Sequence, residues 1–201
     1  MAKLKPNQRV VKSVPDRGGR VYNKSGDGGG RTKAAVRYMD KHEQQQLYAP
    51  GEDGQVKATD RHEAADRVDN TSSKYQQHMV FTTELKSNEV YVNEREYAQQ
   101  IADSVKVVRP DAEIYAVSVH TDKDGEGHIH AHVTFGTDTT IRREQLAEFR
   151  EHAYEQERYI KEHGREVERT PEEARWVEQQ QERHQHARQQ STGYRDEELG
   201  R

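Results

Sequence analysis

From Glu113 to Phe135 the side chains fall into two interleaved sets, interrupted once by a run of turn formers, and this pattern limits the fold more than any other feature. In Glu113–His120, Ile114, Ala116 and Ser118 alternate with Tyr115, Val117 and Val119. Thr121-Asp122-Lys123-Asp124-Gly125-Glu126-Gly127 breaks the run, and a strand-like segment resumes from His128 to Phe135. A period of two belongs to a strand, whose alternate residues share a face. Two such runs joined through a glycine-containing turn predict an antiparallel hairpin.

That hairpin carries an unusual set of side chains. His128, His130 and His132 all project to one side of the second strand. A three-residue loop Lys123-Asp124-Gly125, with glycine in the left-handed position, is a favoured connection. It places Asp122 opposite Glu126 and His120 opposite His128, so three or four imidazoles converge on one face. One histidine on a strand is ordinarily structural, and a polar stripe on a half-exposed sheet is ordinarily solvated. Four on one face are different: as cations they repel, whereas as neutral rings they offer lone pairs to a metal ion. The residues alone leave open a hydrolytic zinc centre with an activated water.

Composition bounds the remainder. The chain has 201 residues, of which 30% are hydrophobic and 34% charged, too polar for the whole length to be packed core. Cysteine is absent, which excludes disulfides, thiolate zinc sites and cysteine nucleophiles. No apolar run approaches a membrane span, and the basic N-terminus lacks the apolar stretch of a secretory signal, so the expected location is the cytoplasm. The net charge of -4 conceals an uneven distribution. Met1 to Lys41 holds eleven Lys/Arg and three Asp, a balance of +8, whereas Arg142 onward holds twelve Lys/Arg and fifteen Asp/Glu. A basic segment of that kind can neutralise phosphates.

Residues 1–31 read as a basic flexible arm with the run Gly26-Asp27-Gly28-Gly29-Gly30. A helix is expected from Thr32 to about Leu47, a loop at Pro50–Gly54 and a short helix over Glu63–Val68. His78–Thr83 reads as a strand. Asn93 and Glu96 form a capping box for a helix running to about Val107. Arg142 to His163 is helical, with Leu146, Phe149, Ala153 and Ile160 near one stripe, and Thr170-Pro171-Glu172-Glu173 starts a further helix. The expected fold is α+β: a mainly antiparallel sheet flanked by helices, with metal-binding histidines on a central β-hairpin. The main domain is expected over 32–140, and a charged helical extension over 141–201.

The pattern His-x-Asp, a short gap, then His-x-His resembles the third motif of relaxases, the mobilisation nucleases of plasmids and conjugative elements. These belong to the superfamily named for its His-hydrophobe-His pair, here His128-Ile129-His130. His78-Met79-Val80-Phe81-Thr82-Thr83 resembles the second motif, and the resemblance covers about Thr32 to Phe135. It implies His120, His128 and His130 as metal ligands. His132 exceeds the pattern and is a further candidate, to replace one of these ligands, add a fourth or contact the scissile phosphate. Gly125-Glu126-Gly127 stands where the family often carries Asn or Pro. Asp122 matches the acidic position, there to orient a ligand or accept a proton.

The same resemblance implies a tyrosine nucleophile on an N-terminal helix. Tyr38, in Ala34-Ala35-Val36-Arg37-Tyr38-Met39, resembles the first motif; Tyr22 lies in the Gly-rich arm. Arg37, Lys41 and Lys33 are the candidate phosphate contacts. The implied activity is site- and strand-specific nicking and rejoining of DNA through a 5′-phosphotyrosine. Its cofactor is a divalent ion, Mn²⁺ or Mg²⁺ functionally, with Zn²⁺ or Ni²⁺ also able to bind. The implied partners are single-stranded or origin DNA and accessory mobilisation proteins, with no membrane. A rolling-circle replication initiator or transposase of the same superfamily shares this site. A non-catalytic DNA-binding module is the alternative of another class. The sequence holds no GxxxxGK[ST] phosphate loop and thus no helicase motor of that type.

Overall fold

The computed structural model describes residues 10–12, 16–17, 30–41, 46–87, 89–121, 128–163 and 165–166. The chain divides into two units, Met1–Arg165 and Glu166–Arg201, and the first contains the sheet. The helix expected from Thr170, together with Tyr22, His184 and His186, lies outside the described residues.

The fold is α+β. Seven strands form one sheet: β1 (Val10–Lys12), β2 (Asp16–Arg17), β3 (Leu47–Pro50), β4 (Val56–Thr59), β5 (Tyr75–Lys86), β7 (Glu113–His120) and β8 (His128–Thr137). A short β6 (Val90–Tyr91) lies apart from it. The order is β1-β5-β8-β7-β3-β4, with β2 also pairing β5, and each neighbouring pair is antiparallel. The expected hairpin, β7 and β8, therefore stands at the centre. β1 falls within the stretch read as a flexible arm, yet Val10 is buried opposite Phe81.

Residue parity sorts the two faces. Met79 and Phe81 of β5, Val117 and Val119 of β7, and Ile129, Ala131, Val133 and Phe135 of β8 are fully buried in the larger core. Two helices cover that side, α3 (Glu94–Val108) and α4 (Arg143–His163). The Asn93 side chain accepts from the amides of Arg95 and Glu96 at the start of α3, the expected cap. Tyr97, Ala98, Ile101, Ala102, Val105 and Val108 form its buried stripe. From α4, Phe149 meets Phe81 edge to face at 6.0 Å and Phe135 at 6.5 Å. This helix belongs to the core of the sheet unit, which runs to Arg165 and past the boundary expected at residue 140.

On the opposite face lie α1 (Gly30–Lys41) and α2 (Arg61–Asn70). Val36, Met39, Leu47, Ala64 and Ala116 make a smaller core there. Asp60 caps α2, accepting from the amides of His62 and Glu63. The sequence pattern carried the first helix on to Leu47, but Leu47 opens β3 and pairs with Ser118 at the sheet's interior. The β3–β4 connection needs one residue of positive φ, supplied by Gly54 at 75°.

A bulge between Ile114 and Ala116 shifts the β7–β8 register. Ile114 consequently joins the larger core instead of sharing a face with Ala116 and Ser118 as simple alternation expects. Tyr115 lies over Gly136, where an added Cβ would collide with the Tyr115 hydroxyl and the Ser73 side chain. Gly136→Ala is therefore expected to cost about 1–3 kcal/mol by overpacking, read from urea unfolding midpoints at unchanged slope.

The turn into β7 is held by buried Arg109, which donates two hydrogen bonds to Asp111 (2.8 and 2.7 Å) and others to the Thr139 carbonyl and hydroxyl. The Arg109 guanidinium is the main reason that the Asp111 carboxyl is lowered from 3.8 to about 2. A carboxyl depressed in the folded state stabilises above its unfolded pKa, and that contribution is lost as pH falls through the folded value. The stability gap between wild type and Asp111→Asn should thus be full above about pH 4 and close towards pH 2, measured by thermal unfolding across that range.

Candidate metal centre

The ladder between β7 and β8 sets His120 opposite His130 and Ser118 opposite His132. On the other side of β8, Val80 of β5 stands opposite His132 and Thr82 opposite His130. The three histidines lie on the α1 side of the sheet, backed through it by Val119, Ile129 and Ala131 of the larger core. A ladder of this kind fixes backbone positions firmly, so the rings are placed by the strands rather than by a loop.

The nitrogens of His120, His130 and His132 available as ligands all lie within 4.8 Å of one another. Ring centroids are 4.7 Å apart for His120 and His130, 4.7 Å for His120 and His132, and 5.3 Å for His130 and His132. An ion about 2.1 Å from each nitrogen needs them roughly 3–3.5 Å apart. Closing that gap calls for side-chain rotation only, with the strands in place. The donor set fits a divalent ion. Burial favours this use, because three crowded imidazolium charges beside a core are costly whereas three neutral rings sharing an ion are not. His120 and His132 are buried and His130 half-buried, so the cluster keeps one approachable side.

Each ring is oriented by another group. Nδ1 of His130 donates to the His128 carbonyl at 2.9 Å, which assigns Nε2 to the ion because a carbonyl only accepts. Nε2 of His120 lies 3.2 Å from the Ser118 hydroxyl, and Nδ1 of His132 lies 2.9 Å from Nε2 of His78. Such partners hold a ligand's ring angle and tautomer. His78 escaped the sequence reading as a site residue. Its position on β5 brings it to His132 across 54 residues of chain, and its parity with Val80 and Thr82, both facing the histidines, was the available signal. Burial lowers the His78 pKa below the ordinary histidine value, favouring the neutral ring.

The clustered histidines are His120, His130 and His132, where the expected ligands were His120, His128 and His130. Pairing His120 with His130 instead of His128 displaces the register by two residues. That displacement leaves every face unchanged and moves His132 into the cluster. His128 stands at the beginning of β8 opposite Lys86, its side chain exposed and its carbonyl holding His130. Asp122 lies outside the described residues.

Tyr38 stands beside the cluster. α1 buries Thr32, Val36 and Met39 on one stripe and exposes Arg31, Ala34, Arg37 and Tyr38 on another. The Tyr38 ring is 5.7 Å from that of His132, edge to face, and remains 49% exposed. Arg37 is exposed on the same helix. Lys33 is engaged elsewhere, its ammonium pairing with Asp69 at 2.9 Å and tying α1 to α2. Lys41 ends α1, and its side chain lies outside the described residues. Among the described residues, no helix is long and apolar enough to cross a membrane.

No family model, curated protein or solved structure matches the chain. The centre's own geometry separates the two ligand sets. His132→Ala should weaken Mn²⁺ or Zn²⁺ binding by more than about 100-fold, beyond the loss expected for an orienting partner, while His128→Ala leaves it nearly unchanged. Isothermal titration of both variants decides the matter, and the reverse order of losses would restore His128 as the ligand.

Proposed function

We propose that this chain is a metal-dependent DNA endonuclease and strand transferase of the relaxase kind. The observation that carries the reading is the half-exposed Tyr38 phenol, on a helix covering the sheet, 5.7 Å from the ring of a histidine in a three-imidazole cluster. Many histidine sites hold a metal. Few set a tyrosine beside it where a long polyanion can approach.

His120, His130 and His132 would hold a divalent ion, Mn²⁺ or Mg²⁺ as the functional ion with Zn²⁺ or Ni²⁺ also able to occupy the site, and it would supply positive charge to offset that of a phosphodiester. Tyr38 supplies the nucleophile. Its oxygen attacks phosphorus as its proton passes to a base, the bond from phosphorus to the 3′ oxygen breaks, and that oxygen leaves as a hydroxyl after taking up a proton. The product is a 5′-phosphotyrosine with a free 3′ hydroxyl. Because one phosphodiester is exchanged for another, the 3′ hydroxyl can attack in return and reseal the strand. That reversibility suits transfer or recircularisation of DNA better than its degradation. Arg37, exposed on α1 as Tyr38 is, would meet a flanking phosphate.

The biological setting that fits is mobilisation or conjugative transfer of plasmid DNA in the cytoplasm, with accessory mobilisation proteins as further partners. The chemistry serves a rolling-circle initiator or a transposase equally well, and the discriminating property is the DNA sequence that is nicked.

The test is a denaturing gel. Wild type incubated with Mn²⁺ and labelled single-stranded origin oligonucleotides should give a protease-sensitive band that survives denaturant. Tyr38→Phe should reduce that band by on the order of 10⁴-fold or abolish it, with little change in oligonucleotide affinity. An adduct that persists in Tyr38→Phe rejects this nucleophile. Binding without any adduct in the wild type leaves a DNA-binding module.

A further inference from the structure

We infer that His78 is a positioning residue for the metal centre, fixing His132 in the tautomer that turns Nε2 to the ion. The inference rests on His120, His130 and His132 holding a metal and not on the DNA reaction.

The two rings lie in nearly parallel planes, 16° apart, with centroids 5.2 Å from each other and with Nε2 of His78 2.9 Å from Nδ1 of His132. One nitrogen must donate and the other accept. If His78 donated, His132 would carry its proton on Nε2 and have no lone pair there to give. If His132 donates from Nδ1, its Nε2 keeps the lone pair, and His78 accepts at Nε2 while holding its own proton at Nδ1. Only the second arrangement agrees with His132 as a ligand. His78 thereby takes the part that a carboxylate or a backbone carbonyl commonly takes behind a metal-bound imidazole.

The sheet makes this partner rigid. Val80 stands opposite His132 and His78 opposite Thr134, so His78 reaches His132 diagonally from the neighbouring strand. The β5–β8 ladder runs without a register shift from Tyr75 to Thr82 and encloses both positions. A ring flip of His132 would break the hydrogen bond. The neighbouring Tyr38 ring meets His132 edge to face, so the orientation fixed by His78 also sets the angle between the phenol and the ligand. His130 and His120 have a carbonyl and a hydroxyl for the same purpose. His78 completes the set, one orienting group for each ring.

Two variants and two readouts test this. His78→Phe retains a flat ring without an acceptor, and His78→Gln restores one. Metal-free protein is studied by ¹⁵N NMR of the imidazoles, and Co²⁺ binding by isothermal titration and visible absorption, with thermal unfolding of each variant as the control for folding. His132 of the wild type should carry its proton on Nδ1. His78→Phe should bind Co²⁺ about 10–100-fold more weakly, and His78→Gln should recover most of that loss. A wild-type His132 protonated at Nε2 overturns the inference, as does wild-type affinity in a folded His78→Phe. Should His78→Phe fail to fold, the wild-type tautomer and the affinity of His78→Gln decide in its place. A wild type that binds no Co²⁺ rejects the metal centre itself, and the role of His78 with it.

Discussion

The pairing of β7 with β8 is the constraint on which the rest of the structure depends. A strand has only two faces, and here one ladder serves both of them. Val117, Val119, Ala131 and Val133 face the larger core, while Ser118, His120, His130 and His132 face α1. Burying the first set against α3 and α4 is the favourable term that holds the strands in place, worth roughly 25 cal/mol for each Å² of apolar surface removed from water. Aligning the second set follows from the same hydrogen bonds at no further conformational cost. Three imidazoles are thus brought together by the burial of valines and an alanine on the opposite side of the sheet.

This division explains why a histidine-rich site can sit inside a chain of such low apolar content. The apolar residues are concentrated in β5, β7, β8, α3 and α4, and one aromatic from each of three elements, Phe81, Phe135 and Phe149, meets at the centre of that core. The smaller core on the α1 side needs only Val36, Met39, Leu47, Ala64 and Ala116. It is enough to lay α1 on the sheet, and the helical repeat then carries Tyr38 towards the histidines. An ion pair between Lys33 and Asp69 adds a polar tie between the two helices on that side.

The sequence revealed faces better than neighbours. A period of two states which side chains share a face, and a shift by one residue would expose the core, so parity was legible in His128–Phe135. A shift by two exposes nothing. The β7–β8 register was therefore open to an even error, and a turn rule applied to Lys123-Asp124-Gly125 selected the pairing of His120 with His128 where the sheet pairs it with His130. Helices with strong local signals, such as the one capped by Asn93, fell where expected because capping is decided within a few residues. The partnership of His78 with His132 and the β1 pairing of Val10 with Phe81 are decided across long stretches of chain, and local parity gives at most the face of His78, never its neighbour. The β3–β4 hairpin was missed for another reason. Its strands have four residues each, too few for a period to establish itself, and one of them begins with a leucine that also continues the preceding helical stripe.

The donor chemistry bears on what the centre can attract. Among the described residues the cluster consists of histidines alone. A neutral imidazole neutralises none of the charge of a divalent ion, whereas each carboxylate removes about one unit. An ion held by three imidazoles retains its full charge for whatever else it binds, and in a partly desolvated pocket that charge acts more strongly than in water. Such a centre favours anionic ligands over neutral ones, and among biological anions a phosphodiester also offers a leaving oxygen to a nearby nucleophile. The orienting groups extend the same economy of charge: a hydroxyl, a carbonyl and a neutral imidazole stand behind the three rings. With His78 in place of a carboxylate, His132 would be oriented without adding negative charge beside a bound ion.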